Sequence, residues 1–349
     1  TTYKEIFGKQ IKQVSSDPTD AEAEGQVWYN STSGTFKTVL NVGAWSNGGN
    51  MGTGRQSLAA SGTQTAGLGF GGKAPAVTAA TEEYNGSAWT SGGNLGAAVY
   101  INAGAGTQTA GLGFGGYRPG NTAATEEYNG SAWTAGGAMG TARRSLIGAG
   151  TQTSALAAGG NAGAPNTNAT EEYGGTSWTA GGVMGTGRSE FAGCGTQDAA
   201  LGIGGGSPSA QVEEYNGTAW TAGGSLNTAR NILAASGIQT AALAFGGNPL
   251  TGATEEYNGS SWATKSSLGT ARSSLAGAPQ GTTSSTLAFG GSTFTTATEE
   301  FTASIYSPIA ATWASGGNMG TGRRFLGGTG TQTAALAFGG YTPSYSNLT

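Results

Sequence analysis

Polar and apolar residues in this chain alternate over short runs, with no helical period, and the runs recur. In one unit, 124–160, the stretch TEEY alternates and ends at Asn129-Gly130. That pair predicts a hairpin with a type I′ turn, because both residues tolerate positive φ. The return strand is SAWT at 131–134, and a Gly-Gly loop then leads to Arg143. A small-residue strand at 145–149, the polar turn GTQT and a short apolar strand ending in Gly159-Gly160 complete the unit. The pattern predicts four short antiparallel strands per unit.

The unit repeats. Trp stands at 45, 89, 133, 178, 220, 262 and 313, in steps of 44, 44, 45, 42, 42 and 51. A double Gly stands at 71/72, 115/116, 159/160, 204/205, 246/247, 290/291 and 339/340. A period in the forties built from four strands predicts a propeller, since radial closure leaves no long open edge. The expected fold is therefore all-β, with seven blades over 25–349. The last blade takes its inner strands from the stretch between Arg323 and Gly340. Its outer hairpin is expected from 35–46, because TVLNVGAW at 38–45 aligns with EEYNGSAW at 82–89. Residues 1–24 stand outside the repeats as a separate arm.

Composition narrows the functions. The 349 residues include 67 Gly and 9 Pro, but Trp and Tyr or Phe recur in nearly every unit, unlike a disordered chain. Charged residues make up 10% and the net charge is −4, with no Lys/Arg run to hold a nucleic acid. The single Cys, Cys194, rules out an internal disulfide, and its small-residue context reads as buried filler. With no His, a Ser-His-Asp or Cys-His triad cannot be assembled, and Zn and Cu sites lose their commonest ligand. No metal or cofactor is expected. No apolar run approaches the ~18 residues of a membrane span, and no signal-peptide pattern opens the chain. Neither membrane insertion nor secretion is expected.

The Arg loop, the apolar strand ending in Gly-Gly and the Tyr…Trp hairpin together resemble the kelch repeat over 35–340. The resemblance implies a kelch-type propeller. The Tyr84-to-Trp89 spacing of five is shorter than usual for that repeat. A second resemblance lies in AEGQVWYNSTSGTFK (23–37) and in the ATEEYNGSAW style of repeat, which look like those of tailed-phage virion proteins of the marine and cyanophage type. It implies a virion component, on the tail or capsid, held to other virion proteins by residues 1–24.

Residues shared by every copy are expected to serve packing: Trp between blades, Ala and Gly near the axis. The pairs Glu82/Glu83, Glu126/Glu127, Glu171/Glu172, Glu213/Glu214, Glu255/Glu256 and Glu299/Glu300 look like carboxylate dyads. Neighbours on a strand point to opposite faces, so a pair does not address one substrate. One member is expected to meet the repeat Arg (55, 143, 188, 230, 272, 323) and the other to face solvent or a turn; Val99 breaks the Arg series in the second copy. No catalytic residue is assigned, and the chain reads as a non-enzyme.

What changes between copies is the stretch after each Gly-Gly, and loops on a rigid scaffold commonly carry specificity. Tyr117, Arg118, Asn161, Asn166, Asn248, Phe294, Tyr341 and Tyr345 are the aromatic and polar candidates there. Aromatic and amide side chains suit neutral sugars, and the low charge argues against a strongly anionic receptor. Tyr3, Ile6, Phe7 and Ile11 in the arm, with Ile305, Tyr306 and Ile309 in the long turn after Phe301, are candidate assembly contacts. The leading expectation is a virion propeller that recognises a host-surface glycan or protein. A purely structural capsid-decoration or tail-assembly protein binding only other virion proteins and, after it, a polysaccharide-degrading enzyme are the alternatives; a homo-oligomer is compatible with the expected partners.

Overall fold

The computed structural model describes residues 2–6, 9–18, 27–41, 43–303, 306–310, 324–331 and 334–341. The architecture is all-β, and contacts divide it into two compact units. Among its described residues the larger, 17–26 with 39–308, contains six four-stranded antiparallel sheets. The first is built from Ala59–Gly62, Gly67–Phe70, Thr81–Tyr84 and Trp89–Ser91. Four more follow the same plan, ending with Ala234–Ile238, Ala241–Phe245, Thr254–Tyr257 and Trp262–Lys265. The sixth joins Ala276–Gly277, Ser285–Phe289 and Thr298–Thr302 to Ala44–Asn47 from the start of the repeats.

A cycle of backbone hydrogen bonds shows that these six sheets form a closed ring. The amide of Ser57 donates to Ser274 O, Ile101 to Ser57, Ser145 to Ile101, Glu190 to Ser145, Ile232 to Glu190, and Ser274 to Ile232. All six residues hold positive φ, from 49° to 58°. For side chains of this kind that region costs free energy, and the closed cycle holds it in place. The strand expected to start at 145 starts instead at Ile147, because Ser145 belongs to this ring.

The expected seventh blade is therefore corrected to six. Trp45 pairs with Phe301 in register, as Trp89 does with Tyr84. Its indole packs on Phe245 at 5.0 Å and donates to Thr254 Oγ1, so it occupies the outer place of blade six. The cause is a surplus claimant. Each blade uses one Trp and one Gly-Gly, and Trp45 takes the position that follows the 298–302 strand. The closing piece is one strand, and Thr35–Asn41 pairs elsewhere, with Val27–Asn30. The inner strands of the last copy, Arg324–Thr331 and Ala334–Tyr341, pair only with each other as a separate two-stranded sheet among the described residues.

The smaller unit comprises 1–16, 27–38 and 309–349. Thr2–Ile6 and Lys9–Val14 form a hairpin, and Lys9–Val14 runs parallel to Val27–Asn30. Residues on both sides of the boundary expected at 24 thus share a sheet. Of the candidate assembly contacts, Tyr3, Ile6 and Ile11 lie on the hairpin strands, and Tyr306 and Ile309 on Tyr306–Ala310. Phe7, Ile305 and Tyr345 lie outside the described residues, and Tyr341 ends the last hairpin.

Packing between blades follows from the repeated residues. Trp89, Trp133 and Trp178 sit 4.7–4.9 Å from Phe289, Phe70 and Phe114 of the preceding blade. Each such aromatic burial contributes roughly 1.5–3 kcal/mol. The axis demands small residues: a Cβ on Gly104 would meet Ala60 O at 2.3 Å, and one on Gly148 would meet Gly104 O at 2.4 Å. The recurring Gln, unassigned by the sequence reading, clamps neighbours; Gln108 Nε2 donates to Gly67 O and Tyr84 O. The Asn-Gly turns are not type I′. Residues 85–88 form a four-residue loop in which Asn85 Oδ1 accepts from the amides of Ser87 and Ala88, and only Gly86 has positive φ.

Candidate functional site

The charged residues of the repeat are fully engaged in holding the ring. Arg55, Arg143, Arg188, Arg230 and Arg272 are buried and pair with Glu82, Glu171, Glu213, Glu255 and Glu299 at 2.7–3.2 Å. Burial lowers each guanidinium pKa even though the carboxylate opposes the shift. The second Glu of each pair was expected to face solvent or a turn. Instead Glu83, Glu127, Glu172, Glu214 and Glu300 accept the tyrosine hydroxyl of the next blade. Burial and this bond push Tyr84, Tyr128, Tyr173 and Tyr215 up to about 12. Glu256 pairs with Lys265 of its own blade. Cys194 is fully buried, and desolvation pushes its thiol up to about 12, so it is inert filler.

A different set of residues surrounds the axis on the variable-loop face. There the ring of positive-φ residues opens into a cavity of about 350 Å³. Its floor is a collar of Leu58, Asn102, Leu146, Phe191, Leu233 and Leu275, below which lies a narrower axial space of about 130 Å³. Five collar positions are apolar and the sixth, in blade two, is an amide. Around the ring stand the residues that follow each repeat Arg, or Val99 in blade two, namely Gln56, Tyr100, Arg144, Ser189, Asn231 and Ser273. Four of them bridge to the first residue after Gly-Gly in the same blade: Gln56 to Lys73, Tyr100 to Tyr117, Arg144 to Asn161, and Asn231 to Asn248.

Blade two is rewired. Val99 stands where the core Arg should be, which leaves Glu126 without its usual partner. Arg118 reaches back from the loop and fills that role at 2.9 Å. Its loop folds as a small hairpin, Tyr117–Arg118 against Gly120–Asn121, with Tyr117 opposite Asn121. Alternation turns Arg118 down to Glu126 and puts Tyr117 and Asn121 on the other side. There both touch Arg144, whose Nη1 donates to Asn121 Oδ1 at 2.8 Å and whose guanidinium lies 5.2 Å from the Tyr117 ring centre. Tyr100 meets Tyr117 edge to face at 5.6 Å.

Amide groups extend this cluster. Asn121 Nδ2 donates to Asn161 O, and Asn161 Nδ2 donates to Asn166 Oδ1. In the next two blades Asn231 Nδ2 donates to Glu190 Oε2, and Asn248 Nδ2 donates to Asn231 Oδ1. Of the sequence candidates, Tyr117, Asn161 and Asn166 therefore come together, Asn248 joins the Glu190 side, and Arg118 serves as a structural anchor. Phe294 is set apart on a short turn, partly exposed and at positive φ, with its carbonyl against Gly54. Sequence reading missed Tyr100, Asn121, Arg144, Glu190 and Asn231. Asn121 lies in the variable loop itself; for the others the available signal was that the two positions after the repeat Arg position vary between copies as freely as the loops.

Among the described residues no group of three His, Cys, Asp or Glu could hold a metal, and no helix is long and apolar enough to cross a membrane. No family model matches the chain, and no curated protein matches it. Among solved structures it is similar to that described as "Structure of YjhT", with a TM-score of 0.59 and 14% identity. The match covers 72% of this chain and 95% of the other. At that identity the likeness concerns the fold alone.

Proposed function

We propose that this protein is a non-enzymatic recognition component of a tailed-phage particle: a kelch-type propeller whose loop face binds a glycan or protein on the host surface. The observation that carries this reading is the contrast between scaffold and mouth. Residues common to the copies bond to one another, whereas those that vary converge on one cavity lined by tyrosine, amide and single charged groups. Cavities of this size with a partly apolar floor and a few convergent polar groups are typical ligand sites. Aromatic and amide groups suit the faces and hydroxyls of sugars.

The smaller unit, with its strands from residues 1–16 and 27–38, is the proposed attachment to other virion proteins. Saturable binding of the purified protein to host cells, weakened by Tyr100→Ala or Tyr117→Ala with folding intact, is the expected result. Wild-type binding unchanged by either substitution would remove the mouth from the reading. A second reading, assembly with other virion proteins alone, draws on the exposed apolar side chains of Val183 and Leu250, each 61% exposed. Imaging of intact particles separates them: a propeller face covered by capsid or tail subunits supports the second.

A further inference from the structure

Arg144 differs from every other arginine whose side chain is described. The five core arginines and Arg118 each hold a carboxylate within 3.2 Å. Arg144 makes no ion pair among the described residues, and its side chain makes one hydrogen bond, to the neutral Asn121. A guanidinium carries five N–H donors in a rigid fork suited to an oxyanion. Here the fork is fixed on one side by Asn121 and beneath by the Tyr117 ring, and it lines the cavity at the axis. Such fixing lowers the ordering cost of taking a ligand.

We propose that Arg144 is an anion subsite of this mouth and that the ligand is a glycan bearing an acidic group, a carboxylate or a sulfate ester, on a sugar ring. The inference rests on the recognition reading above and names its ligand class. Glu190 lines the same cavity and repels a ligand anion, so it fixes the orientation. The acidic group lies on the Arg144 side, and sugar hydroxyls donate to Glu190, which Asn231 holds at 3.0 Å. Tyr100 and the apolar collar receive the ring face. A single cation with a single anion in the next blade selects sparsely charged glycans over polyanions, in keeping with the low charge of the chain.

The blade-two rewiring is what supplies this subsite. Arg118 on Glu126 anchors the short hairpin, and the hairpin presents Tyr117 and Asn121 to Arg144. Arg118 is accordingly a positioning residue.

The test uses the full chain and purified host-surface polysaccharide in three forms: native, carboxyl-reduced and desulfated. Titration calorimetry is expected to show that one of the two treatments weakens binding on the order of tenfold, about 1.4 kcal/mol. Which treatment acts distinguishes carboxylate from sulfate. Arg144→Gln should lose the same factor on native polysaccharide and become indifferent to the treatment. Lys73→Gln makes the same change in net charge on the same face and should keep the preference. Equal wild-type binding to all three forms, or an Arg144→Gln variant that keeps the preference, overturns the proposal while the recognition reading stands. No binding to any form, together with no binding to host cells, overturns both. Thermal melting of each variant confirms that folding is unchanged.

Discussion

Blades two and three solve the same problem in different ways. Each carries TEEY on its third strand, and each buries the first glutamate of that strand. In blade three Arg143, fully buried, comes up from the loop before the inner strand to meet Glu171. In blade two Val99 leaves that space apolar, and Arg118 meets Glu126 from the solvent side with its side chain 28% exposed. A carboxylate buried on a strand must have a cation, but the fold does not dictate which element delivers it. When a variable loop delivers it, one ion pair both neutralises the carboxylate and fixes the loop. The scaffold and the candidate site are coupled at that point.

The largest expected effect breaks the core version of the pair. Arg230→Leu leaves Glu255, 2% exposed, without its cation and should cost about 3–5 kcal/mol in urea unfolding, because an uncompensated buried charge remains. Adding Glu255→Leu should recover most of that loss. A single substitution costing less than about 1 kcal/mol would show that the pair is dispensable. Next is the seam. Trp45→Ala should cost about 3 kcal/mol, since it empties the place against Phe245 and Phe301 that fastens blade six. Cleavage before Thr298 in limited proteolysis should rise with it. A seam elsewhere would leave both unchanged.

Arg118→Ala should cost less, about 1–2 kcal/mol, because water reaches the pair. In that background Val99→Arg supplies Glu126 from the core and should restore stability without restoring ligand binding, because the 117–121 hairpin stays unanchored. Recovery of both would separate the loop from the site. The smallest effect is common to both blades. Tyr128 of blade two and Tyr173 of blade three are each raised to about 12 by burial and a neighbouring glutamate. An unfolded tyrosine titrates near 10, so the folded state favours the protonated form. That contribution is complete below about pH 10 and is lost as pH rises toward about 12. The urea midpoint should therefore fall across that window, and Tyr128→Phe should flatten the fall. A midpoint rising with pH there would contradict the assignment.

Much of the scaffold was legible in the chain. The strand pattern, the tryptophan stacking and the Arg–Glu pairs follow from the spacing of residues that recur, because each repeat must meet its neighbour in the same way. The second glutamate was misread because its partner, a tyrosine hydroxyl, belongs to the next blade, and strand alternation says nothing about what stands across an interface. The candidate site was half legible. Tyr117, Asn161 and Asn166 could be picked from loop variation, but Arg144 lies beside the recurring Arg143 and was masked by it. Arg118 looked like a ligand group because Val99 shows only that Glu126 lacks its core arginine, not which element takes that place.

By itself the sequence determined that the chain is all-β, that its unit is a four-stranded sheet, and that glycine and alanine line the axis. These are local consequences of alternation, turn chemistry and side-chain volume. Only the tertiary structure decided the number of blades. Trp45 and Trp313 are equivalent words in the repeat, and counting words cannot tell seven places from six places and a surplus. The closed cycle from Ser57 to Ser274 decides it, because six left-handed residues can pass hydrogen bonds around one axis only when the first blade meets the sixth. The same closure draws Tyr100, Arg144, Glu190 and Asn231, far apart in the chain, to the rim of one cavity.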